Sequence, residues 1–421
     1  MTVDPTLVVV GASLAGAKAA EGARTAGFDG RVVLVGDEHA LPYERPPLSK
    51  AVLRGEAAPE TTRVHDDGFY ADHDIELLTG RTVEGLDLRS DERRARLDGN
   101  ESLPFTTAVL ATGAEPRRLD VPGADLGGVH YLRDLGDAGR LGDAIRNAGR
   151  VAVIGAGWIG SEVAASARQM GADVVLVDPA PVPLRRVLGD EIGEVFRRLH
   201  ADNGVELRLS NGVAELRGHG TVEQVVLRDG GIEAADVVVV GVGVTPRVGL
   251  AVEAGLRVDD GIVVDEHLES SVPGVYAAGD VASARHARFD RRLRVEHWAN
   301  ALHQGLAAGA NAAGGRERYT RLPYFFSDQY DLGMEYVGHG DPGDAVVVRG
   351  SLAAREFIAF WHRDGVVTAA MNVNTWDVVE DLKAIVAAGR PLDPDRLADP
   401  AVALAEVAEL AGPGRHVKEH R

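Results

Sequence analysis

An α/β architecture, with two Rossmann-type dinucleotide-binding units followed by an α+β C-terminal domain, is predicted by three features of the chain. These are two glycine-rich turns far apart in sequence, an acidic residue at a similar place after each, and a change of texture near residue 322. The first turn is Gly11-Ala12-Ser13-Leu14-Ala15-Gly16 and the second is Gly155-Ala156-Gly157-Trp158-Ile159-Gly160. Each follows a short apolar run, Leu7 to Val10 and Val151 to Ile154, and each opens a segment with small and apolar residues at helical spacing. In that strand, turn, helix context the free N–H groups of the helix start favour an anion, and glycine lets a pyrophosphate approach the backbone. Ser13 replaces the second glycine of the first turn, and its small hydroxyl side chain can itself contact a phosphate. The run Arg31 to Val35 leads to Asp37, and Asp173 to Val177 leads to Asp178, so that both carboxylates can accept ribose hydroxyls. Two such units mean two dinucleotides.

With 421 residues, 45% of them hydrophobic, and 51 glycines, the chain is long enough for two to three domains. Met1 to Pro5 carries no basic region, and the first apolar run ends at Gly11, so no signal peptide is expected and a cytoplasmic location is. The longest apolar run, Val237 to Val244, is glycine-broken and far short of the roughly 20 residues a membrane helix requires. There is no cysteine, which excludes a redox-active disulfide, an iron–sulfur cluster held by this chain and a Cys-ligated zinc. The 14 histidines show no metal-ligand spacing, so no metal centre is expected. Electrons must therefore pass between the bound dinucleotides and something outside the polypeptide. Neither a nucleic acid nor a membrane is expected as a partner.

The first unit closes with Ala108-Val109-Leu110-Ala111-Thr112-Gly113, and the second spans Arg150 to Gly243. Val275-Tyr276-Ala277-Ala278-Gly279-Asp280 is again strand-like with a Gly-Asp turn, so the chain is expected to return to its first domain. The expected boundaries are 1–114 with 248–321, 115–247, and 322–421. In the last segment Tyr324, Phe325, Phe326 and Tyr330 cluster, and Ala345 to Ser351 and Glu356 to Trp361 alternate as antiparallel strands do. Pro400 to Leu410 is expected to be a helix, and the polar tail from Gly412 to be mobile.

The glycine turns, Pro42-Tyr43-Glu44-Arg45-Pro46-Pro47-Leu48-Ser49-Lys50, Ala111-Thr112-Gly113, Glu162, Ala277 to Asp280, Val295 to Ala301 and Phe326-Ser327-Asp328-Gln329-Tyr330-Asp331 occur in order along the chain. With these residues the chain resembles the FAD-dependent NADH:ferredoxin reductases of the putidaredoxin reductase, rhodocoxin reductase and biphenyl-dioxygenase reductase type, from about Leu7 to Leu410. The resemblance implies a glutathione-reductase-like architecture: FAD on the first unit, NADH on the second, and a C-terminal domain covering the flavin. It places Gly11, Ser13, Leu14, Ala15, Gly16, Asp37, Glu38, Arg45, Lys50, Val83, Ala111, Thr112, Gly113, Arg133, Gly279, Asp280, His297 and Trp298 at the flavin nucleotide. Gly155, Gly157, Trp158, Ile159, Gly160, Glu162, Asp178, Arg186 and Gly243 fall at the nicotinamide nucleotide.

Lys50 and Glu162 are the implied catalytic pair, an ammonium that stabilises the reduced flavin and a carboxylate that keeps it oriented and charged. Asp178 favours NADH, because a carboxylate accepts ribose hydroxyls and repels a 2′-phosphate. The chain departs from the family at Val182, where an arginine is common, although Arg185 and Arg186 follow closely. It departs again at Arg247, in place of an asparagine beside the expected NAD, and at Phe326, in place of a tryptophan. Against a net charge of −19, the segment Arg285 to Arg294 carries five arginines and one aspartate, a candidate docking patch for an acidic ferredoxin. The implied reaction is hydride transfer from NADH to FAD. Single electrons then pass to an iron–sulfur ferredoxin serving a cytochrome P450 or a ring-hydroxylating oxygenase. An NADH:quinone or NADH:oxygen oxidoreductase, and an NADH sensor of the apoptosis-inducing-factor type, remain as alternatives.

Overall fold

In a computed structural model, which describes residues 4–89 and 92–411, the chain divides into two compact units. The first comprises Met1–Glu44, Glu60–Glu115 and Thr245–Pro323, and the second Arg45–Pro59, Pro116–Val244 and Tyr324–Arg421. The tail from Gly412 lies outside the described residues.

The first unit is built on a parallel sheet in the order Val275–Ala277, Thr107–Leu110, Thr6–Val10, Arg31–Gly36, Ile75–Thr79. All five residues of Thr6–Val10 are buried, as a near-continuous β-branched run requires when both faces of a parallel sheet are covered. The late strand Val275–Ala277 completes this sheet, so the chain does return to its first domain. Two helices, Leu14–Thr25 and Trp298–Ala312, pack against each other at very close range. Glycine permits this: a Cβ on Gly22 would lie 2.3 Å from the Leu306 carbonyl oxygen, and one on Gly309 would lie 1.9 Å from that of Ala19.

The second unit holds its own parallel sheet, Glu206–Leu209, Asp173–Asp178, Arg150–Ile154, Val237–Val240, Val129–His130. It also holds the antiparallel sheet Tyr324–Gln329, Leu332–Gly338, Val366–Val373, Glu356–Arg363, Ala345–Ser351. Leu188, Ile192 and Phe196 share one buried cluster with Phe325, Tyr336 and Trp361, which joins that sheet to the helix Arg185–Asp202.

Two boundaries differ from the sequence reading. Residues 45–59 belong to the second unit rather than to 1–114, because Leu53 is buried with Leu141, Ile145 and Val163. The sheet that begins at Tyr324 packs with the second unit through the cluster around Phe196. The last helix is Leu404–Ala411, later than Pro400, because the Asp399 side chain accepts the Ala401 N–H and holds a turn ahead of it. Among the described residues, no helix is long and apolar enough to cross a membrane.

Candidate functional site

The first glycine turn is fixed by close backbone contacts. Gly11 has φ +107°, and a Cβ there would lie 2.2 Å from the Ala111 carbonyl oxygen; a Cβ on Gly16 would lie 1.8 Å from that of Gly11. Ser13 is the N-cap of the helix Leu14–Thr25 with extended backbone, and its hydroxyl makes no capping hydrogen bond. Leu14 and Ala15 are buried, so they position the helix. A Cβ on Gly279, at φ +78°, would lie 3.0 Å from the Ala15 Cβ, which brings the Gly279–Asp280 turn against the same helix start. Thr112 Oγ1 donates to the Arg247 carbonyl, the Arg247 N–H donates to the Gly113 carbonyl, and Arg247 Nη1 stands 3.2 Å from Asp37 Oδ2. Arg247 therefore sits on the first unit against Asp37. Glu38 accepts the Tyr43 hydroxyl. Val83 opens the strand Val83–Asp87, half-buried against the first core, and His297 caps the helix that Trp298 begins.

The second turn repeats the design with one informative difference. Gly155 has φ +101° and a Cβ there would lie 2.4 Å from the Gly241 carbonyl oxygen, while a Cβ on Gly160 would lie 1.9 Å from that of Gly155. Gly157, by contrast, has an ordinary φ of −77°, and an added Cβ would meet nothing within 4 Å. Neither conformation nor packing explains a glycine at 157, whereas close approach of a phosphate does. The helix Trp158–Gln169 starts without a side-chain cap, although Leu135–Asn147 in the same unit is closed by a capping box of Asp134 and Asp137. A pyrophosphate fits both observations, since it would satisfy the uncapped N–H groups. Ile159 and Val242 leave 46% and 36% of their surfaces exposed beside this turn, and Gly243 has φ +100°. The Trp158 ring is committed elsewhere, packed edge-on to Phe325 and Phe196, so only its backbone is left to serve the turn.

Asp178 is built into the second turn. Its Oδ2 accepts the Ala156 N–H at 2.7 Å and its Oδ1 accepts the Ala180 N–H at 2.7 Å, while Leu184 N–H donates to the Ala156 carbonyl at 2.9 Å. The segment after the strand thus wraps around Ala156 and delivers residues 185 and 186 to the turn. Val182, at the place of the usual arginine, is buried. Arg185 does not offer a free charge, since its guanidinium is paired with both Asp190 oxygens at 2.6 and 3.2 Å. Arg186 is exposed, and no ion pair to it is found among the described residues.

Lys50 and Glu162 meet within the second unit. Lys50 Nζ is 2.9 Å from Glu162 Oε2, with only 14% and 5% of the two side chains exposed. The run Pro46-Pro47-Leu48-Ser49 forms a 3₁₀ turn that ends at Lys50 and is clamped by the helix Trp158–Gln169. Glu162 accepts the Ser49 hydroxyl, and Ser166, one turn further on, donates its hydroxyl to the Ser49 carbonyl at 2.6 Å. Lys50 Nζ also donates to the Pro46 carbonyl and lies 5.7 Å from the Phe326 ring centroid. The Oε1 atom of Glu162 accepts the Ser327 hydroxyl at 2.7 Å. A lone buried charge would be strongly unfavourable here, so cation, carboxylate and hydroxyls stabilise one another. Arg45 donates to the Arg133 carbonyl, and Arg133 N–H donates to Asp137 Oδ2 at 3.0 Å. Sequence reasoning placed Ser49 and Ser327 in characteristic strings without a role, and missed Ser166. The i, i+4 spacing of Glu162 and Ser166 was the available signal.

Several arginines of the segment 285–294 are engaged within the first unit. Arg285 pairs with Asp290 at 2.6 Å, Arg294 pairs with Asp260 and Glu296 while only 10% exposed, and Arg292 donates to the Val264 and Ser283 carbonyls. Burial lowers the pKa of Arg288. Arg285 and Arg294 are thus paired with carboxylates, whereas Arg292, bonded to neutral carbonyls, keeps its charge.

Comparison with known proteins finds similarity over nearly the whole chain. The family described as pyridine nucleotide-disulphide oxidoreductase matches residues 5–305, and the one described as reductase C-terminal matches residues 324–408. The chain is 38% identical over 406 residues to the anthranilate 1,2-dioxygenase system ferredoxin–NAD(+) reductase component of Burkholderia cepacia, covering 96% of this chain and 99% of that one. It is 37% identical over 395 residues to rhodocoxin reductase of Rhodococcus erythropolis, covering 94% and 92%. Among solved structures, the covalent putidaredoxin reductase–putidaredoxin complex matches with a TM-score of 0.93 at 35% identity, covering 97% of this chain and 99% of that chain. The chain belongs to the pyridine nucleotide-disulphide oxidoreductase family, among the members that carry the reductase C-terminal domain.

Proposed function

We propose that the protein is an NADH-dependent ferredoxin reductase that holds FAD on the first glycine turn and NADH on the second. The observation that carries this is the pair of dinucleotide turns in a chain without cysteine: the family's disulphide chemistry is impossible here, so the acceptor must be external. The relatives named for a dioxygenase system and for rhodocoxin support an iron–sulfur ferredoxin as that acceptor, with a P450 or a dioxygenase beyond it. FAD, when bound, supplies the step from a two-electron hydride donor to one-electron transfer.

The chain's own residues do the rest. Gly157 leaves room for a phosphate, the uncapped helix starts supply N–H donors, and Asp178 selects a free ribose over a 2′-phosphate. Lys50 presents a buried ammonium, held by Glu162, to the developing negative charge of hydride transfer. The flavin and nicotinamide contacts named from sequence are part of the same proposal, as is a cytoplasmic location. NADH-driven reduction of cytochrome c through an added iron–sulfur ferredoxin tests it, beside NADPH and beside ferricyanide as a small acceptor. A ferredoxin-dependent rate with NADH exceeding that with NADPH is expected. Rapid NADH consumption by oxygen or quinone with no ferredoxin-dependent rate would overturn it, and so would slow turnover with every acceptor.

A further inference from the structure

We infer that Ser327, supplied by the C-terminal sheet and oriented by Gln329, is a positioning residue for hydride transfer that acts by fixing the Glu162 carboxylate against Lys50. The inference rests on the proposed role of the Lys50–Glu162 pair and adds a member from a different part of the chain. On the strand Tyr324–Gln329, alternation places Phe325, Ser327 and Gln329 on the buried face, and Ser327 and Gln329 are each 1% exposed. A hydroxyl and a carboxamide this deep in the fold need partners. Ser327 has one hydrogen to give and Glu162 Oε1 receives it at 2.7 Å, while Gln329 Nε2 stands 3.3 Å from Ser327 Oγ as a donor. The oxygen is therefore an acceptor toward Gln329 and a donor toward Glu162, which fixes its proton direction.

The two carboxylate oxygens are divided between two parts of the chain. Oε2 takes Lys50 and Ser49 from the 3₁₀ segment, and Oε1 takes Ser327 from the C-terminal sheet. With Oε1 held, rotation of the carboxylate away from Lys50 would break a buried charge-assisted hydrogen bond, so the ammonium keeps one position. Removing the Ser327 hydroxyl leaves Oε1 buried without a donor and frees that rotation. The pair survives, but its aim loosens.

The test is a double-mutant cycle on FAD-loaded protein with Ser327→Ala, Glu162→Gln and the combination, with Ser327→Thr as the variant that keeps a hydroxyl. Anaerobic stopped-flow reduction by NADH and urea denaturation are measured on each. Ser327→Ala is expected to slow flavin reduction roughly tenfold, the scale of one hydrogen bond to a charged group, with the apparent Kd for NADH unchanged. Ser327→Thr restores most of the rate, and in the Glu162→Gln background Ser327→Ala has little further effect on rate or on the denaturation midpoint. Equal losses from Ser327→Ala in both backgrounds would overturn the inference. So would a wild-type reduction rate for Ser327→Ala while Glu162→Gln and Lys50→Met are slow, an outcome that leaves the catalytic pair standing. If Lys50→Met and Glu162→Gln also reduce at the wild-type rate, the reading of the pair itself fails and the inference goes with it.

Discussion

The two glycine turns share one backbone design but hold their acidic residues in opposite ways. Asp178 gives both carboxylate oxygens to backbone amides, one of them in the turn itself, whereas Asp37 is 54% exposed and, among the described residues, tethered by the Arg247 guanidinium. In the second unit, the acid proposed to recognise a ribose is thus also the one that builds the turn. In the first, no hydrogen bond from the acid to the turn is found among the described residues, and its tether comes from far along the sequence. A motif match alone treats the two acids as equivalent, and the hydrogen bonds show that they are not.

The largest effect expected on this comparison comes from the glycines. Gly160→Ala would push a Cβ to 1.9 Å from the Gly155 carbonyl oxygen, so it should destabilise the second unit by about 3 kcal/mol, the upper end of overpacking costs. Gly157→Ala meets open space, so stability should stay within about 0.5 kcal/mol while the Kd for NADH rises severalfold. Denaturant melts with NADH titrations on both variants check this, and unchanged NADH binding in Gly157→Ala would remove the phosphate from that position.

Next in size is the acid itself. Asp178→Asn keeps one acceptor but turns an N–H toward the other amide, so a loss of about 1–3 kcal/mol is expected together with a lower NADH-to-NADPH ratio of kcat/KM. Asp37→Asn breaks only an exposed ion pair and should change stability by less than about 0.5 kcal/mol. Equal effects from the two substitutions would erase the contrast.

The smallest effect is in acid. Burial lowers the His200 pKa to about 4, with Gln329 opposing, so the unfolded chain takes up this proton first. Stability of the second unit is expected to fall as pH drops from about 6.5 toward 4. In the first unit, the hydrogen bond with His65, then Lys18, holds the Glu21 carboxyl down at about 2. Its contribution is present above about 4.5 and lost as pH falls from there toward 2. Trp158, Trp361 and Trp376 report on the second unit and Trp298 on the first, so fluorescence-monitored urea midpoints across pH can follow both. His200→Phe should flatten the upper window, and a wild-type slope in that variant would assign the loss to another group.

What the sequence revealed was local. The turns, the parallel strands and the antiparallel strands from Tyr324 follow from periodicity and from glycine spacing within short windows, and the return at Val275 is read from a second strand with a Gly-Asp turn. What it hid depends on contacts between distant residues. Leu53 lies early in the chain but packs with Leu141, and Arg247 reaches Asp37 across 210 positions. Five arginines in ten residues count as a patch in a string, but three of them turn out to hold carbonyls or carboxylates. Ser327 carries no signal of its own, because a serine in a strand becomes informative only when the carboxylate it serves is known.

The most direct test of the account is anaerobic stopped-flow reduction of the bound flavin by NADH, wild type against Lys50→Met, with FAD occupancy measured in both. The account predicts complete reduction of the wild type by NADH, faster than by NADPH. It predicts a slowing in Lys50→Met of about 30-fold or more at full FAD occupancy, since one preorganised charge is worth on the order of 2 to 4 kcal/mol. An unchanged rate in Lys50→Met with FAD fully bound, or a wild-type enzyme reduced faster by NADPH, would contradict it.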